Sequence, residues 1–168
     1  PILIIMAGGK GTRMEPFTNI LPKPFIPFKD KTIIESIIEK FTNYGINKIF
    51  LSINYKSFII KAFFKELRPK AKINFIEESK PLGTVGSLAK LKGIVKKDFI
   101  LTNCDTYTEA NIYDLMEFHK KNKYLITIVA APKINNIPFG VCELHENGNL
   151  KKINEKVHIT NLINIGLY

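Results

Sequence analysis

The sequence predicts an α/β protein built on a doubly wound, mainly parallel sheet. Short continuous apolar runs recur along the first 131 residues, and segments with helical apolar spacing separate them. Each run is apolar throughout and ends at small or polar residues, as strands buried on both faces do. Towards the end of the chain the pattern changes to that of an antiparallel hairpin.

The first strand is ILIIM, residues 2 to 6, and it stops at Gly8. Beyond a loop, Ile33, Ile34, Ile37, Ile38 and Phe41 keep helical spacing from Lys31 on, with Asp30 as the expected N-cap and Gly45 as the stop. KIFLSI, 48 to 53, reads as the second strand. Residues 56 to 67 form the next helix, with Phe58, Ile59, Ala62, Phe63 and Leu67 expected on one face and Pro69 past its end. INFIEE, 73 to 78, is the third strand, and after KPLGTVG a short helix runs to about Leu91. DFILTN, 98 to 103, is a fourth strand that delivers Cys104 and Asp105 at its C-terminal end. Ile112, Leu115, Met116 and His119, with Asn111 near the start, give another helix, and YLITIVAA, 124 to 131, the fifth strand. Finally FGVCEL, 139 to 144, and NLKKIN, 149 to 154, flank Asn147-Gly148, the turn of a hairpin expected to form a second sheet layer.

Composition narrows the function. At 168 residues with 45% apolar content the chain suits one domain, and no apolar run reaches membrane-spanning length or has the flanks of a signal peptide. A cytoplasmic protein with no membrane partner is expected. Cys104 and Cys142 make no disulfide framework, and His119, His145 and His158 show no zinc spacing. The net charge of +10 is spread along the chain without a basic and aromatic stripe, so it argues for a small anionic substrate over nucleic acid. Only two arginines occur, Arg13 and Arg68, and Arg13 stands inside a glycine loop, where a planar bidentate fork suits phosphate.

In open α/β sheets ligands bind beyond the carboxyl ends of the strands, so the loops after Met6, Ser52, Glu77 and Asn103 are the places to search. AGGKGTR lets successive backbone N–H groups converge on phosphate oxygens, with Lys10 and Arg13 adding charge. It is neither a Walker A loop nor a GxGxxG fingerprint, and alone it also fits a plain tight turn. In LPKPFIP the prolines restrict Lys23 to a stiff, extended segment that suits a fixed phosphate, or simply a surface linker. Asp105 in TNCDT is a turn residue or a hard carboxylate for Mg²⁺ on a triphosphate. Together these are the parts of phosphoryl or nucleotidyl transfer, in which positioning and charge neutralisation do most of the catalysis.

AGGKGTRMEPFTNILPKPFIP closely resembles the GGxGTRLxPxTxxxPKPxxP signature of sugar-1-phosphate nucleotidyltransferases, and FLSINYK, EESKPLGTVGSL, TNCDT, PFGVCE, INEK and INIGLY continue the similarity in order. The resemblance implies a Rossmann-like, three-layer nucleotide-diphospho-sugar transferase fold, and a Mg²⁺-dependent reaction of an NTP with a sugar-1-phosphate that gives an NDP-sugar and pyrophosphate. By motif position, Ala7, Gly8, Gly9, Gly11 and Thr12 are similar to the phosphate loop, and Arg13 and Lys23 to the groups that neutralise and organise the phosphates. Asp105 resembles the metal ligand, and Gly83 the glycine against base and ribose. Glu78 stands where uridylyl- and thymidylyl-transferases carry Gln; a carboxylate accepts from N1–H and the N2 amine of guanine, which favours GTP, unless Glu78 is merely a solvated strand-end group.

Gly140, Glu155, Lys156 and Asn164 occupy the family's sugar and sugar-phosphate positions, although the usual EKP here reads Glu155-Lys156-Val157. The family continues past GLY with a second metal-binding Asp or Asn, and the first strand here starts at Pro1. The whole of 1–168 is therefore expected to be the core domain of a longer protein, closest to members preceded by CBS-type domains. Surface glycan biosynthesis is the expected setting, and a homo-oligomer is compatible with it. Within the same signature, a cytidylyltransferase for phosphocholine or a non-catalytic nucleotide sensor are the alternatives.

Overall fold

The structure is a computed structural model that describes residues 1–78 and 86–168, so Gly83 lies outside the described residues. The chain forms two compact units, Pro1–Thr127 together with Gly166–Tyr168, and Ile128–Ile165.

In the first unit the elements are β1 (Ile2–Ala7), α1 (Phe17–Ile20), β2 (Pro27–Phe28), β3 (Lys31–Thr32), α2 (Ile33–Asn43), β4 (Lys48–Ile53), α3 (Ser57–Leu67), β5 (Lys72–Glu77), β6 (Phe99–Asn103) and α4 (Ile112–Asn122). The four long strands lie parallel in the order β5-β4-β1-β6. Their ends are level: Ala7 pairs with Ile53, Ile53 with Glu77 and Met6 with Asn103. The chain builds outward from β1 to β5 and then returns to β6 on the other side of β1. This makes the carboxyl edge between β1 and β6 a topological switch point, where open α/β sheets bind ligands.

Both faces of the sheet are buried, as the unbroken apolar runs predict. On one face Ile4, Phe50, Ile76 and Leu101 pack with Leu91 of a 3-10 turn over Gly86–Leu91. By strand alternation Leu3, Ile5, Ile49 and Leu51 face the other way, and all four are fully buried. Each such side chain contributes about 1.5–3 kcal/mol by leaving water, and together they hold the loop-bearing edge rigid.

The helices differ from expectation in detail. Thr32, not Asp30, caps α2: its hydroxyl accepts from Glu35 N while Glu35 Oε2 accepts from Thr32 N at 2.9 Å, a capping box. Asp30 lies too early because Lys31–Thr32 is still extended, paired with Pro27–Phe28. In α3 the buried residues are Ile60 and Phe64, whereas Phe58 is 73% exposed. Apolar residues surround this helix, so spacing alone does not choose the face. The segment expected as a short helix is the 3-10 turn, and α4 begins at Ile112 with Asn111 Oδ1 accepting from Tyr113 N at 3.0 Å, as expected.

The second unit contains β7 (Val129–Asn136), β8 (Val141–Leu144), β9 (Leu150–Asn154) and most of β10 (His158–Leu167). The β8–β9 hairpin forms its own two-stranded sheet, with Cys142 opposite Ile153 and Gly148 at φ 81° in the turn. β7 starts five residues later than the apolar run suggests, since Tyr124–Ile128 lies outside any strand. β10 was not anticipated, because its polar residues interrupt both periods. Its last residue, Leu167, itself belongs to the first unit, where it pairs antiparallel with Thr102.

Candidate functional site

The glycine loop starts at the buried end of β1. Gly8 faces a carboxylate: a Cβ there would lie 3.1 Å from Glu78 Oε1 and 3.5 Å from Asn54 Cβ. Gly9 is in open space, with no atom within 4 Å of a Cβ built on it. Gly11 turns the chain at φ +71°, a conformation that favours glycine. A Cβ on it would meet Thr18 Cγ2 at 2.8 Å and Lys23 Cβ at 3.3 Å, so the loop threads between these side chains. Thr18, 1% exposed, donates from Oγ1 to Gly11 O at 2.9 Å. Thr12–Met14 then form a 3-10 turn that leaves Lys10, Thr12 and Arg13 exposed.

The segment after the loop is held from behind. Lys56 Nζ donates to the carbonyls of Asn19 and Ile20, both at 2.6 Å, and Tyr55 Oη to that of Thr18 at 3.4 Å. Lys23 was expected in extended chain; instead Pro22 is extended and Lys23–Phe25 form a 3-10 turn closed by Phe25 N to Pro22 O at 2.9 Å. Pro24 and Phe25 are buried, so the turn is anchored and Lys23 projects from it.

Lys23 meets Asp105, 82 positions later, with Nζ 2.6 Å from Oδ2 and both side chains partly exposed. The pair stands at the switch point, beside Gly11. Asp105 is aimed there by its neighbours: Cys104 N donates to Met6 O at 3.1 Å, and Thr106 N to Asn103 O at 3.4 Å. Gly166, at φ +80°, runs so close to Asn103 that any side chain would collide with its amide. The last residues described thus brace the loop that carries Asp105.

Asp105 already holds a cation, the Lys23 ammonium, and its oxygens are hard donors. A single hard carboxylate of this kind could contribute one oxygen ligand to a divalent cation such as Mg²⁺. Beside it Cys104 is buried, and burial, and then the Asp105 charge, pushes its thiol up to about 12 against the pull of Lys23. Among the described residues no group of three or more His, Cys, Asp or Glu could hold a metal by itself.

Glu78 is not a solvated strand-end group. It is 8% exposed and gripped at three points: its N–H donates to Ile53 O at 2.9 Å, its carbonyl accepts from Asn54 Nδ2 at 2.5 Å, and Oε1 accepts from Ser52 Oγ. In the second unit, Gly140 approaches Glu155 closely, since a Cβ on it would lie 2.9 Å from Glu155 Oε1 and 2.8 Å from Ile153 Cγ2. Lys156 takes a left-handed φ of 53°, and Asn164 lies on β10; both are exposed. Thr18, Ser52, Asn54 and Lys56 escaped the sequence reading. A hydroxyl in the apolar strand KIFLSI was the one available signal.

The nucleotidyl transferase family model matches residues 2–168. The chain belongs to that family. Relatives of this nucleotidyl transferase chain include the bifunctional protein GlmU of Methanococcus maripaludis, 38% identical over 169 residues covering 98% of this chain and 39% of that protein. Mannose-1-phosphate guanylyltransferase 1 of Arabidopsis thaliana is 33% identical over 174 residues, covering 98% and 48%. The chain thus spans less than half the length of these relatives. Among solved structures, HddC from Yersinia pseudotuberculosis superposes with a TM-score of 0.71 at 28% identity, covering 99% of this chain and 74% of that one. A CTP:phosphocholine cytidylyltransferase from Streptococcus pneumoniae shares the fold at 22% identity and a TM-score of 0.66, with 99% and 69% covered. The nucleotide-diphospho-sugar transferase fold and membership of the nucleotidyl transferase family are therefore established. Among the described residues no helix is long and apolar enough to cross a membrane.

Proposed function

We propose that the protein containing this chain is a sugar-1-phosphate nucleotidyltransferase that uses GTP and releases pyrophosphate, in the manner of a mannose-1-phosphate guanylyltransferase. The observation that carries this reading is the Lys23–Asp105 pair at 2.6 Å, set beside Gly11 at the switch point of the sheet. An ammonium and a carboxylate at one edge serve phosphates and a divalent ion respectively.

In this reading the N–H groups of Gly8 to Gly11 cradle the triphosphate and Arg13, exposed on its turn, reaches over it. Lys23 leaves Asp105 for the phosphates, where it offsets charge as the sugar-1-phosphate oxygen bonds to the α-phosphorus and the α–β bridging bond breaks. Asp105 would hold Mg²⁺, which would supply neutralisation of that developing charge. Gly140, Glu155, Lys156 and Asn164 are, by motif position, the candidates for contacts with the sugar-1-phosphate. Glu78 selects guanine: a carboxylate beside a phosphate loop repels anions, so its ligand is a hydrogen-bond donor edge, which guanine supplies with N1–H and N2. The guanylyltransferases among the relatives, and a solved HddC complexed with GMP-PN at 26% identity, support the same base.

Pyrophosphate release by the full-length protein, with the four NTPs crossed against several sugar-1-phosphates, tests the proposal. Turnover with GTP above the other three supports it; no turnover with any pair in Mg²⁺ overturns it.

A further inference from the structure

Ser52 is a polar residue where the fold calls for an apolar one. It is fully buried in β4, a strand whose other residues after Lys48 are Ile, Phe and Leu, and by strand alternation it shares a face with Phe50. Its hydroxyl donates to Glu78 Oε1, across two adjacent parallel strands in which Ser52 pairs with Ile76. A bare hydroxyl in an apolar strand is unfavourable without a partner, and here the partner is an ionisable side chain at the ligand-binding edge.

The geometry leaves the carboxylate little freedom. The bond to Ile53 O and the Asn54 Nδ2 bond to its carbonyl fix the Glu78 main chain, and Gly8 closes one side of the carboxylate so tightly that a Cβ on it would lie 3.1 Å from Oε1. The side-chain torsions remain, and the Ser52 bond to Oε1 restrains them. Recognition groups discriminate best when their rotamers are locked by a surrounding shell before the ligand arrives. We infer that Ser52 is a positioning residue for base selection: by holding Oε1, it sets the plane in which Glu78 meets the base. This inference rests on the proposed role of Glu78, and it extends selection to a residue buried beneath the nucleotide pocket.

The test uses the full-length protein and the ratio of kcat/KM for GTP to that for ATP, CTP and UTP, in wild type and in Ser52→Ala, Ser52→Thr and Glu78→Gln, with thermal unfolding of each. If turnover is too slow, dissociation constants for GTP and UTP from calorimetry give the same ratio. Ser52→Ala is expected to lower the preference about tenfold, as loss of a hydrogen bond to a charged group does. The change falls on KM with kcat kept, and Ser52→Thr restores the preference. A merely structural role would lower the unfolding temperature and leave the ratio alone; that result overturns the inference. If Glu78→Gln changes the ratio and Ser52→Ala does not, the Ser52 role fails while the Glu78 reading stands. If Glu78→Gln leaves it unchanged, both fail. Should Ser52→Ala not fold, Ser52→Cys, with a weaker donor, decides in its place: an unchanged ratio refutes the inference and a partial loss supports it.

Discussion

Gly11→Ala should damage both stability and catalysis, and the structure indicates by how much. The methyl group would force a left-handed φ of +71° on an L-residue, which costs about 1–2 kcal/mol. It would also lie 2.8 Å from Thr18 Cγ2, and Thr18 is buried and bonded to Gly11 O, so it cannot swing away. Relieving that overlap adds about 1–3 kcal/mol, for a total of about 2–5 kcal/mol. Urea unfolding followed by circular dichroism measures the loss. The same methyl presses on Lys23 Cβ at 3.3 Å, so kcat should fall with stability. Gly9→Ala is the control, because its Cβ meets nothing within 4 Å. Its unfolding should match wild type, yet KM for NTP should rise about tenfold, because the methyl group, with the N–H kept, would stand in the open space where the triphosphate is proposed to lie, and overlap there costs about 1–3 kcal/mol. A Gly11→Ala protein as stable as wild type would refute the steric argument, and an unchanged KM in Gly9→Ala would refute the phosphate cradle.

Thr32→Ala should remove the capping box of α2 and lower stability by about 1 kcal/mol, while Thr32→Ser keeps it; urea midpoints of the three proteins compare them. The two thiols of the chain should separate under a thiol reagent at pH 8: exposed Cys142 reacts at once and buried Cys104 only on unfolding. Because Cys104 is raised from 9.0 to about 12, the folded state keeps a proton that the unfolded state loses above pH 9. Its contribution to stability is thus full below pH 9 and declines towards pH 12, and Cys104→Ala should flatten that part of the pH–stability curve.

Strands β1, β4 and β6 were legible because a run buried on both faces leaves an unbroken apolar signature ended by a sharp change of residue type. The phase of α3 was not, since Phe58, Ile59, Ile60, Phe63 and Phe64 put apolar groups on most sides and only packing selects Ile60 and Phe64. The cap of α2 was legible and passed over: Thr32-Ile33-Ile34-Glu35 is the capping-box spacing, whereas Asp30 has Ile33 three places on. β7 starts later because Tyr124–Ile128, despite its strand-like composition, lies outside every strand among the described residues. At the site, Lys23 and Asp105 could be named from their motifs, but their contact depends on strand order, since β6 must return to the far side of β1. The grip on Glu78 likewise follows from the pairing of β4 with β5.

We propose that Asp105 and Lys23 form the phosphate and metal end of a nucleotidyl transfer site. It is tested most directly by pyrophosphate release from GTP and mannose-1-phosphate by the full-length protein across a Mg²⁺ titration, with Asp105→Asn measured alongside and thermal unfolding monitored. Wild type is expected to release pyrophosphate in a Mg²⁺-dependent way, and folded Asp105→Asn to lose about a hundredfold to a thousandfold, the scale expected when charge stabilisation in the transition state is removed. Turnover by Asp105→Asn at the wild-type rate and Mg²⁺ dependence would contradict it.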